Sequence, residues 1–93
     1  MLYRKMKEEP SKVFLNVFID DVVLNEDPTL PAYVYELFKQ MGGLKSYNYT
    51  EGSNHITATV LWTESEAKYR VEDLRNTRGI KNVQAWILYP TRD

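Results

Sequence analysis

The sequence predicts an α+β domain of the ferredoxin-like kind, a βαββαβ chain in which a four-stranded antiparallel sheet carries two helices on one face. Two kinds of periodicity and one capping signal predict it. Apolar residues alternate in the stretches read as strands, and they recur every three or four positions in two others. Thr63-Glu64-Ser65-Glu66 is a capping box that announces a helix start.

Taken in order, Val13 to Leu24 is rich in β-branched and aromatic residues and free of Gly and Pro, which predicts a strand buried on both faces. Asn25 to Pro28 breaks it. Leu30, Val34, Leu37, Phe38 and Met41 then fall on one helical stripe, with Pro31 suited to the first turn and Gly42-Gly43 to the end. Leu44 to Thr50 and His55 to Trp62 alternate around the turn residues Glu51-Gly52-Ser53-Asn54, so they predict a hairpin. The Thr63 box opens a second helix with Ala67, Val71 and Leu74 as its apolar stripe. That helix ends between Asn76 and Gly79, before a last strand from Val83 to Tyr89.

Composition bounds what such a domain does. At 93 residues and 11.0 kDa, with 43% hydrophobic and 27% charged residues, the chain makes one core and no second domain. Twelve basic against thirteen acidic residues leave a net charge of −1, too little positive field for generic nucleic-acid binding. The absence of Cys excludes disulfides and thiolate chemistry. No apolar run approaches the roughly 20 residues of a membrane span, and Met1 to Lys12 lacks the pattern of a secretory signal. The expectation is a cytoplasmic protein with a flexible arm over 1–12 and a single domain over 13–93.

Seven Tyr and two Trp are many for so small a domain. Strand alternation assigns Val13, Leu15, Val17, Ile19, Ile56, Ala58, Val60, Trp62, Val83, Ala85 and Ile87 to the face under the helices. The opposite face collects Phe14, Phe18, Tyr47, Tyr49, Leu61, Trp86 and Leu88 among Asn16, His55, Thr57, Thr59 and Gln84. A patch of that kind exceeds what a soluble monomer exposes, so these seven are expected to form a sheet-on-sheet homodimer interface.

From Tyr47 to Val60, through the capped helix, and on through Thr77-Arg78-Gly79-Ile80 to Tyr89, the chain resembles the effector-binding domain of the Lrp/AsnC regulators. The hairpin turn and the Gly79-Ile80 step carry the likeness. It implies a stand-alone module of the dimeric α+β barrel type, without the DNA-binding helix-turn-helix, that dimerises and binds a small amino-acid-like effector. The same plan serves ACT domains and dimeric α+β barrel monooxygenases, and plan alone does not choose among them.

The best binding candidates are Thr50, Gly52, Ser53, Asn54 and His55, since a tight turn exposes backbone N–H groups and short polar side chains to a metabolite. The structural alternative is that Gly52 and Asn54 serve the turn itself. His55 is the one imidazole, and as a base it needs a partner such as Glu51 or Asp20. Asp20-Asp21 and Glu26-Asp27 lack ligand spacing, so no metal or cofactor is expected; these acids read as strand-end and N-cap residues. Two rival functions remain. One is a barrel enzyme using His55 with Tyr47 or Tyr49 as acid and base. The other is a single-stranded RNA platform of Phe14, Phe18, Tyr49 and Trp86, disfavoured by charge.

Overall fold

A computed structural model describes residues 9–88; the segment 1–8 of the expected arm and Tyr89 lie outside the described residues. Strand β1 (Ser11–Ile19) begins two residues earlier than the alternation suggests. Its odd-numbered residues Val13, Leu15, Val17 and Ile19 are fully buried, while Lys12 and Phe14 are exposed and Asn16 and Phe18 half-buried. The strand is therefore covered on one face, not two.

Beyond Ile19 the expected strand does not continue to Leu24. Asp20 stays extended and its Oδ1 accepts from the N–H groups of Val22 at 2.9 Å and Val23 at 3.1 Å, which starts a short helix, α1 (Asp21–Glu26). An N-cap that satisfies two first-turn donors outweighs the strand preference of Val22 and Val23. Helix α2 (Leu30–Met41) follows with Pro31 in its first turn, and Gly42 ends it at φ +86°. Leu30, Pro31, Val34 and Phe38 are buried on its inner stripe.

Strands β2 (Leu44–Tyr49) and β3 (His55–Trp62) form the hairpin, α3 (Glu64–Arg75) carries the Thr63 capping box, and β4 (Ile80–Leu88) closes the chain. The sheet order is β2-β3-β1-β4 with every pair antiparallel. This is the ferredoxin-like arrangement, with one extra helical turn inserted after β1.

The core lies between the sheet and the two long helices. Trp62 sits at its centre, fully buried, its ring stacked 6.2 Å from Phe38 and its Nε1 donating to the Gly42 carbonyl at 2.7 Å. The Arg70 guanidinium lies 5.3 Å from the indole centroid. At β4 the cover is shorter than alternation implies: Val83 is buried, Ile87 half-buried and Ala85 exposed. α3 is tied to this strand at Val83, whose carbonyl accepts from Arg75 Nη2 at 2.8 Å, and the far end of an edge strand extends past that cover.

Gly79 joins the two halves. It sits at φ +93°, its carbonyl accepts the Asp20 N–H at 2.8 Å, and a Cβ there would come within 2.5 Å of Leu30 Cδ2 and 2.9 Å of Val23 Cγ1. Both the left-handed backbone and the close approach require glycine. Gly79→Ala is expected to cost about 1–2 kcal/mol or more in urea unfolding; an unchanged midpoint would refute the close approach.

Candidate functional site

The hairpin turn brings Thr50, Gly52, Ser53 and Asn54 together, and four of their polar groups serve the turn and its tie to β1. The Ser53 N–H donates to the Thr50 carbonyl at 2.9 Å, Ser53 Oγ accepts the His55 N–H at 3.0 Å, and the Asn54 carbonyl accepts the Ile19 N–H at 2.8 Å. Gly52, at φ +88° with open space around it, serves the turn geometry. The turn is thus locked to the end of β1 as well as closed on itself.

His55 leaves the turn and joins the sheet surface. Its ring stacks on Phe18 at 4.6 Å with 3° between planes, and its Nε2 lies 2.7 Å from Asn16 Oδ1, an acceptor to which the ring donates. Neither carboxylate considered as its partner holds it. Asp20 caps α1 instead.

Tyr47 and Tyr49 are not on the open sheet face. Tyr47 pairs with Ala58 and Tyr49 with Ile56, both buried residues, so the two rings lie on the helix side of the sheet. The four-residue turn over 51–54 carries the reason: if Thr50 opposes His55, counting back sets Tyr49 against Ile56 and Tyr47 against Ala58. A register shift between Leu44 and Ser46 then turns Leu44 toward the core as well.

On that side the Tyr47 hydroxyl donates to the Pro31 carbonyl at 2.7 Å, and its ring meets Tyr35 edge-on at 4.9 Å and Phe38 at 6.1 Å. A groove of about 570 Å³ opens here. Pro28, Pro31, Ala32 and Tyr35 line it from the start of α2, Tyr47 and Tyr49 from β2, and Glu51 from the turn. Burial, followed by the neighbouring Tyr49 and Tyr35 hydroxyls, pushes the Tyr47 phenol from 10.0 up to about 12. Of the turn residues only Glu51, not among the binding candidates, reaches this groove.

The open face is more polar than expected. Asn16 stands between Thr57 and Gln84 at its middle, and Phe18 with His55 lies toward one end. At the other end Phe14 (37% exposed), Leu61 (37%), Trp86 (48%) and Leu88 (51%) form the apolar cluster. Phe14 and Trp86 rings lie 6.1 Å apart, and Lys12 pairs with both Leu61 and Leu88.

These placements bear on the rival functions. His55 and the two tyrosines occupy opposite sheet faces and cannot act on one substrate as acid and base. Likewise Tyr49 is absent from the face that carries Phe14, Phe18 and Trp86. Among the described residues no group of His, Cys, Asp or Glu is placed to hold a metal ion, and no helix is long and apolar enough to cross a membrane.

A solved structure with this arrangement is the solution structure of the C-terminal domain of the MgtC protein from Mycobacterium tuberculosis. It superposes with a TM-score of 0.55 at 16% sequence identity, covering 89% of this chain and 93% of that one. The likeness shows the fold. No protein-family model matches the chain, and no curated protein does.

Two measurements check the Tyr47 environment. Spectrophotometric titration is expected to show one phenol ionising near pH 12, and Tyr47→Phe to remove it. Because the folded-state value lies above the unfolded one, the native state holds its proton longer, so stability falls as pH rises from about 10 toward about 12. Tyr47→Phe loses that extra alkaline fall and, at neutral pH, about 0.5–1.5 kcal/mol for the missing hydrogen bond.

Proposed function

We propose that this chain is a non-catalytic regulatory module that pairs with a second copy of itself through the uncovered sheet face and binds a small effector beside the Thr50 to His55 turn. The resemblance to Lrp/AsnC effector domains motivates both halves of that reading. The observation that carries it is the exposed cluster of Phe14, Leu61, Trp86 and Leu88 on the sheet face opposite the helices.

A second copy is the occupant that the composition of this face fits. Lys12 is the one Lys, Arg, Asp or Glu that regular strand pairing places on this face, Lys45 and Lys81 standing at register shifts, and its methylene stem adds to the apolar surface of the leucines beside it. Covering what remains exposed of each large side chain contributes on the order of 0.5–1.5 kcal/mol. The polar middle row of Asn16, Thr57 and Gln84 then sets register more than affinity.

The effector half moves to the helix side. Ser53 is engaged within the turn through its N–H and its Oγ, whereas Glu51 borders a groove of about 570 Å³, within the size range of small-molecule sites. The Tyr47 hydroxyl is held by the Pro31 carbonyl and Glu51 is the one charged group of the lining, which is why we propose binding.

Size-exclusion chromatography with light scattering tests the pairing. The expected result is a dimer in the micromolar range that Trp86→Lys weakens by about 100-fold or more, with the folded-state circular dichroism spectrum retained. A wild-type chain that stays monomeric at those concentrations overturns the sheet-on-sheet reading.

A further inference from the structure

The groove between α2 and β2 carries a narrower chemistry than a general small-molecule site. Three tyrosines, Tyr35, Tyr47 and Tyr49, contribute to its lining, and Glu51 is its one charged residue. No Lys, Arg or His is among the lining residues. An anion placed here meets a carboxylate and the electron-rich faces of aromatic rings.

The start of α2 would ordinarily favour an anion, but little of that capacity is available. Pro28 and Pro31 have no N–H, and the Leu30 and Tyr33 N–H groups donate to the Asp27 and Thr29 carbonyls, each at 3.1 Å. The Tyr47 hydroxyl is likewise committed to the Pro31 carbonyl. What the groove offers is aromatic surface and negative charge. One ring of the cluster already engages a cation: the Lys39 ammonium lies 5.4 Å from the Tyr35 centroid.

We propose that this groove binds an organic cation, an alkylated ammonium group held against Tyr35, Tyr47 and Tyr49 with the Glu51 carboxylate as counter-charge. Methylated ammonium fits better than a bare one, because it loses less hydration on entering an aromatic site while keeping its attraction to the ring faces. The inference rests on the groove being the effector site of the proposed module, and it names that effector's chemistry.

The test is a proton NMR titration of the full chain at constant ionic strength with choline chloride, its neutral isostere 3,3-dimethylbutanol, and sodium acetate, following the tyrosine ring signals. Choline is expected to saturate and the neutral isostere to bind about tenfold more weakly. Glu51→Gln and Tyr35→Leu, both at exposed positions, are expected to weaken choline several-fold with the amide spectrum otherwise retained. Choline binding unchanged in both variants places the cation elsewhere and overturns the assignment. If 3,3-dimethylbutanol or acetate binds these rings as tightly as choline, the groove remains a ligand site and the cation falls. If none of the three moves the tyrosine signals, both readings fall.

Discussion

A strand offers its side chains alternately to two faces, and in this molecule helices cover only one of them. That constraint decides the role of nearly every strand residue. Val13, Leu15, Val17, Ile56, Ala58, Val60, Trp62 and Val83 become core because they share the parity that faces α2 and α3. Phe14, Leu61 and Trp86, one position away, become surface. A shift of one residue in any strand would exchange the two sets, and the hydrogen bonds that prevent it are local: the Leu61 N–H to the Gly43 carbonyl at 2.8 Å at one end of the hairpin, and the Ile19 N–H to the Asn54 carbonyl at 2.8 Å at the other. Gly43 is held to this role by space as well as by φ +77°, because a Cβ there would collide with the Leu61 carbonyl oxygen.

The parts of the fold legible in the sequence are those where one local signal is strong. The Thr63 box forms with both of its hydrogen bonds, and the stripes Leu30–Val34–Phe38 and Ala67–Val71–Leu74 are buried as their spacing implies. The parts that were not legible lie where two signals compete or where a count must be carried across a turn. Val22 to Leu24 is strand-like in composition, and only the Asp20 side chain on two backbone donors makes it helical. Ala85 has core parity but lacks cover, a property of helix length and position that alternation does not encode. The tyrosines are the instructive case, since the turn length that places them on the helix side was readable. Their alternation by itself fits either face, and only the count across the turn decides between the two.

That placement changes the character of both surfaces. Without Tyr47 and Tyr49 the open face keeps a compact apolar end and a polar middle, closer to an ordinary interface with a core and a rim than to a continuous aromatic sheet. With them the helix side acquires a groove whose walls are tyrosine and proline. The extra turn α1 contributes indirectly: it packs Val23 against Gly79 and precedes Pro28, from which the groove begins. A fold shared with a domain at 16% identity carries none of this detail, because the groove depends on side chains and on an insertion rather than on strand order.

The apolar cluster and the tyrosine groove stand on opposite sides of the same sheet, and this makes them separable. Tyr47 and Tyr49 belong to β2, an edge strand, whereas Phe14 and Trp86 belong to β1 and β4 at the other half of the sheet order. No residue serves both. The link between them is backbone: the turn that carries Glu51 also anchors to Ile19 through Asn54 and to His55 through Ser53. That turn is the backbone element that connects the two surfaces. The proposed pairing and the proposed ligand site share no side chain, so substitutions in one are expected to leave the other unchanged, and a coupling between the two would point to residues 50–55.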